Sequence, residues 1–230
     1  MHRATVVASL GVGQLLAWGS TFYLPAVLAE PMADTLGVTP STVFLAFSVA
    51  MGGSALVGPA AGRAIDRFGG RPVLLATNLL FAAGLAALAS AQGTFGLFAA
   101  WILIGLAMGA GLYEAAFATV VRLYGTSAKD AITGITLFGG FASTVGWPLS
   151  AWMEARWGWR GACVGWALLH VGLALPLHAV LPRAAPASDG GASRPEAAPP
   201  ASTPAEASGR AETDAPPTRW AMALLAFLFV

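Results

Sequence analysis

Six stretches of this sequence, near residues 5–28, 42–62, 72–91, 95–121, 131–152 and 160–181, are almost free of charge. Each is close to the roughly 20 apolar residues a helix needs to cross a lipid bilayer. Such runs leave few options, because inside lipid every backbone N–H and C=O must be paired within the segment or within a closed barrel. Strand alternation does not compete: Ala, Leu and Gly outnumber the β-branched residues in these runs. Composition agrees, with 57% hydrophobic and only 10% charged residues, against about 25% charged in a soluble domain. The chain cannot cover a water-facing surface, and it reads as an all-α integral membrane protein, a six-helix transmembrane bundle. The first run follows a basic start, Met1–Arg3, yet from Ala4 to Ala29 it far exceeds the roughly 7–15 residues of a signal-peptide core. It reads as a retained span.

Turn and charge signals bound the runs: Glu30-Pro31, Thr39-Pro40-Ser41, Gln92-Gly93-Thr94, Lys129-Asp130 and Gly158-Trp159-Arg160. The bundle would occupy residues 1–181. Residues 182–218 turn to Ala, Pro, Ser, Gly and Glu and read as a disordered cytoplasmic linker, too poor in large apolar groups to offset ordering entropy. Residues 219–230 read as the beginning of a seventh helix, truncated. With a cytoplasmic N-terminus, Arg3, Arg63, Arg67, Arg71, Arg122, Lys129 and the linker arginines all fall inside, while Arg156 and Arg160 fall outside, as the positive-inside rule requires. Trp152, Trp157 and Trp159 would form an outer aromatic belt.

Several classes drop out. A net charge of +1 argues against nucleic-acid binding. Cys163 is alone, so no intrachain disulfide or cysteine-based zinc site forms. Metal-ligand clusters, paired intramembrane acids and Ser-His or Cys-His constellations at a plausible spacing are missing from the sequence. No enzymatic activity and no cofactor are expected.

The densest charge lies in Gly58–Leu75, "GPAAGRAIDRFGGRPVLL". The topology puts Gly62–Arg71 in a short cytoplasmic hairpin between the second and third runs. Gly69-Gly70 permits the turn and Pro72 restarts the helix at its first position. Asp66, the lone acid there, could cap a helix N-terminus, and the arginines could pair with acids or with helix-end carbonyls. Equally, they could be snorkelling anchors needing no partner. Gly62, Asp66, Arg67, Gly69 and Arg71 resemble the loop 2–3 signature of the major facilitator superfamily, Gly-x-x-x-Asp-Arg-x-Gly-Arg-Arg/Lys. Gly70 departs from it where a basic residue is usual.

That resemblance implies the N-terminal six-helix half of a twelve-helix secondary carrier working by alternating access, often proton-coupled. It implies a bacterial-type inner (plasma) membrane, and a C-terminal half, or a second chain, as partner. In it the loop clasps the other half, Asp66 serves as capping acid and Arg67 and Arg71 as its charge partners. The rival reading is a truncated, non-transporting six-helix scaffold.

Glu114 is the only acid well within a run, and a carboxylate at membrane depth costs roughly 2.5–3.5 kcal/mol, so it normally faces a cavity or marks function. It would carry the proton, or else be structural or paired with Arg122. Gln14, Trp18 and Thr21 share one helical face and, with Tyr113, complete the expected proton and solute cavity; Gln and Thr also serve as interhelical hydrogen-bond partners. Asn78 reads as structural; His170 and His178 could shuttle protons, but the resemblance implies a peripheral place for their helix, and His178, near the cytoplasmic end, reads as reaching the interface. The spaced glycines Gly105 and Gly109 predict close helix approach. The fourth run lacks the intramembrane arginine typical of the family's drug–proton antiporters, so the resemblance implies uptake of a small organic solute rather than drug efflux.

Overall fold

The computed structural model describes residues 2–182, and among them every regular element is helical. Helix α1 spans Arg3–Ser20 and α2 Pro25–Leu36, followed by α3 (Pro40–Phe68), α4 (Gly70–Ser90), α5 (Gly93–Gly111) and α6 (Tyr113–Tyr124). A 3₁₀ turn over Gly125–Ala128 leads to α7 (Lys129–Gly140) and α8 (Ala142–Leu169), and a π-helical turn, His170–Ala174, precedes α9 (Leu175–Ala179). The linker and seventh-helix expectations lie outside the described residues.

Among the described residues four stretches, two of them interrupted by short breaks, are long and apolar enough to cross a membrane: Arg3–Leu36, Pro40–Phe68, Gly70–Ser90 and Gly93–Ala179. The last, of 87 residues, folds back on itself twice. Along a straight helix at 1.5 Å per residue, Tyr113 and Gly139 would sit about 39 Å apart, yet a Cβ added to Gly139 would overlap the Tyr113 hydroxyl. Likewise Trp166 Nε1 donates to Ser150 Oγ at 3.0 Å, although a straight helix would separate them by about 24 Å. The second reversal is at Gly158, whose φ of 69° and ψ of 173° break the helix. A side chain rarely adopts that φ, which is why glycine stands there.

The contacts define two ends. At one, Arg3 donates to the Ser127 carbonyl and pairs with Asp130 at 3.6 Å, and Arg122 donates to the Asp66 carbonyl. At the other, Trp159 Nε1 donates to Thr35 Oγ1 at 3.1 Å. There Arg160 lies 4.1 Å over the Trp159 ring and donates to the carbonyls of Ala89 (3.2 Å) and Ala91 (3.0 Å). Helices leave their last carbonyls unpaired, so Arg160 closes the end of α4. Trp159 therefore departs from the expected belt: it is buried, drawn inward by Thr35 and Arg160, while Trp152 and Trp157 stay half exposed and meet edge to face.

Small residues set the close crossings. A Cβ at Gly105 or Gly109 would run into the α3 backbone at Ala50 or Ser54, and α1 crosses α8 where Gly19 faces Gly146. These backbones approach as Gly-x-x-x-Gly spacing allows. The largest buried side chains, Trp101, Trp166 and Phe81, sit in the main core. A second cluster, including Val6, Leu10, Ile65, Leu74 and Ile135, consolidates the Arg3 end. Large apolar groups also face outward, Phe95 at 88% and Leu56 at 83% exposure; lipid, not water, suits such a flank.

Two boundaries differ from the sequence reading. The first run breaks after Ser20 and resumes as α2, which continues through Pro31 to Leu36. The ten-residue hairpin is in fact a single residue: α3 stays helical through Phe68, Gly69 makes the turn with φ 85°, and α4 starts at Gly70. Continuing the helix keeps the backbone of Gly62–Phe68 paired, and one glycine at positive φ suffices to reverse the chain. Pro72 accordingly lies two positions beyond the helix start, still within the first turn, where its missing N–H has no partner to lose.

Candidate functional site

Helix α5 ends at Gly111 and α6 begins at Tyr113, with Leu112 extended between them (φ −80°, ψ −162°). A break at membrane depth leaves carbonyls without helical donors. Two side chains repair it: Gln14 Nε2 donates to the Gly111 carbonyl at 2.8 Å, and Thr77 Oγ1 approaches the Ala110 carbonyl at 3.2 Å. The break turns the chain so that Glu114 stands in the first turn of α6, where negative charge is favourable.

A cavity of about 260 Å³ opens there, lined by Trp18, Met51, Ser54, Ala55, Gly58, Gly109, Leu112 and Glu114. A small extension of about 30 Å³ shares Gly58, Gly109 and Glu114 and reaches Gly62. Contrary to the expectation of a buried carboxylate, Glu114 is exposed, because the broken helix presents it to this opening. It makes no side-chain hydrogen bond or ion pair among the described residues, and Arg122, its alternative partner, instead donates to the Asp66 carbonyl. Two larger grooves, about 630 and 560 Å³, are lined by apolar residues, threonines and small residues and carry no charge, whereas the smaller cavity is lined by one acid, Glu114.

The other expected cavity residues divide. Trp18 lines the cavity and packs on Tyr113 (centroids 5.1 Å) and Phe22 (5.3 Å), and its indole Nε1 has no partner among the described residues. Tyr113 stands behind it, stacked on Phe117. Gln14 is 1% exposed and spent on the helix break, although its Oε1 has no partner among the described residues. Thr21 leaves the shared face: it caps α1, fully buried, with its hydroxyl donating back to Ala17 at 2.6 Å.

At the charged end, Gly62 and Asp66 lie on the last turns of α3 and Arg71 in the first turn of α4. Asp66 does not cap α4, whose N-cap is Gly69 without a side-chain bond, and among the described residues it pairs with neither Arg67 nor Arg71. Arg67 lies 5.1 Å over the Phe68 ring. Gly70 now has a reason: a Cβ there would overlap the Thr119 side chain, so α4 seats on α6 only with glycine at this position.

A second polar group joins residues that the sequence reading kept apart. His170 and His178 face inward, at 0% and 3% exposure, rather than to the periphery or the interface. Asn78 joins them: its Oδ1 lies 3.0 Å from His170 Nδ1, and its Nδ2 lies 2.7 Å from His178 Nδ1 and donates to the Leu74 carbonyl at 2.8 Å. Ser20 Oγ completes the row, 2.9 Å from His170 Nε2. The members come from α1, α4 and the chain after α8, 92 to 150 residues apart. No local pattern could have joined them; the only signal was that polar residues at membrane depth need partners.

The sequence of residues 10–230 matches the family model described as Major Facilitator Superfamily. No curated protein is similar enough to count as a match.

Proposed function

This chain belongs to the major facilitator superfamily, a family of membrane transporters, and from that premise we propose that it carries a small organic solute across a bacterial-type inner membrane by alternating access, coupled to protons. The observation that carries this reading is the unpartnered carboxylate of Glu114 beside the free indole N–H of Trp18 on one cavity at membrane depth. A carboxyl at such a depth is stable when it faces a cavity, and one with no fixed partner is free to exchange a proton. Trp18 offers a donor and an aromatic face to the solute.

In this reading six spans, near the runs given above, form one half. Six further helices, in the same polypeptide or a second chain, close the cavity from the open side. Arg3, Arg122 and the Gly62–Arg71 motif mark the cytoplasmic end, and Asp66, with no ion pair among the described residues, meets its counterpart on the other half. The test is solute-dependent thermal stabilisation across a panel of small organic acids, amines and sugars, followed by proton uptake in proteoliposomes. Glu114→Gln is expected to abolish solute-driven proton uptake at unchanged expression; coupling that survives the substitution overturns the role.

A further inference from the structure

We propose that His170 is a second proton-binding site, separate from Glu114, prepared by Ser20 and Asn78 to be satisfied both with and without the proton.

The Leu74 carbonyl can only accept, so the Asn78 atom beside it is the amide nitrogen. That fixes the row. Nδ2 also donates to His178 Nδ1, and Oδ1 must accept from His170 Nδ1–H. Neutral His170 therefore keeps a lone pair on Nε2, which accepts the Ser20 hydroxyl at 2.9 Å. Ser20 has a second acceptor within reach, the Ala17 carbonyl at 3.3 Å. When a proton binds the Nε2 lone pair, the hydroxyl rotates to Ala17, and its oxygen accepts the new Nε2–H. Nothing else moves, no bond breaks but one hydrogen bond, and the proton is the sole species added.

No counter-charge bonds the ring among the described residues, so hydrogen bonds alone hold the added proton. Here both N–H groups of the charged ring meet an oxygen, in charge-assisted bonds about twice as strong as neutral ones. The Phe81 ring, 4.8 Å away and stacked at 26°, covers one face. His170 also opens a π-helical turn, a distortion frequent at functional sites. His178 is a positioning residue, orienting the amide together with Leu74.

The ionisable neighbours are few. Around His170, α1 carries only Arg3 and α4 only Arg71, each in its first turn. Helix α8 brings Glu154, Arg156, Arg160 and Cys163, and α9 brings His178. None of the hydrogen bonds to the two histidine rings involves a carboxylate or guanidinium among the described residues. A proton here binds α1 more firmly to α4 through Ser20 and Asn78.

The test is ¹⁵N-histidine NMR of the chain in micelles from about pH 8 to about pH 4, the range in which a histidine switches, with circular dichroism monitoring the fold. A His2→Gln background leaves two rings, distinguished by tautomer: Nδ1–H for His170 and Nε2–H for His178. The expected result is uptake of one proton at His170 Nε2 while the helices persist, with His178 still neutral. Ser20→Ala loses that uptake, and Glu114→Gln leaves it unchanged, which separates this site from the proposed role of Glu114. A His170 ring that stays neutral throughout, an uptake that coincides with unfolding, or an uptake that survives Ser20→Ala overturns the proposal.

Discussion

Two polar regions sit at membrane depth in this bundle and are built on opposite terms. Along the Ser20–His170–Asn78–His178 row nearly every donor meets an acceptor and water is excluded. At the Glu114 cavity the carboxylate and the Trp18 indole have no partner among the described residues, and the site is open. Hydrogen bonds between membrane helices average about 0.6 kcal/mol, so the closed row contributes to holding the helices together. Partnerless groups contribute no such stability, and their presence is economical only if something else engages them.

The contrast is open to attack, starting from the closed side. Gly13→Val is expected to cost most, about 3 kcal/mol, because a side chain there would overlap the His178 ring; reversible unfolding in mixed micelles measures it. Asn78→Leu removes three side-chain bonds and should cost about 2 kcal/mol at roughly 0.6 each, read by the same unfolding curves. Gly70→Arg, which restores the usual basic residue of the motif, should lose about 1–2 kcal/mol by overpacking, and Thr119→Ala should recover part of it. On the open side, Glu114→Gln and Trp18→Phe should change stability by less than about 0.5 kcal/mol. A large loss at Glu114 would erase the distinction by giving it a structural partner.

Much of this was legible from residue type and local spacing. Apolar runs mark the helical membrane bundle, and of the five residues expected around one cavity the structure lines it with Glu114 and Trp18. What escaped depends on tertiary contact. Whether Gly62–Phe68 is loop or helix turns on one glycine torsion, and the break at Leu112 rests on Gln14 and Thr77 reaching it from elsewhere in the chain. Trp159 reads as an interfacial belt residue until Thr35 and Arg160 are seen around it. The histidines read as peripheral and interfacial because the family resemblance implies that place for their helix, and Asn78, which joins them in the interior, lies 92 and 100 residues away in sequence.

The one-residue turn at Gly69 has a mechanical consequence. A long connection would absorb displacement as slack; a single residue between two helices of 29 and 21 residues absorbs almost none. A pull on Asp66 in the last turn of α3 is passed to α4 and travels along it to Asn78. The charged end and the buried imidazoles, which share no contact, are thus yoked to the same lever.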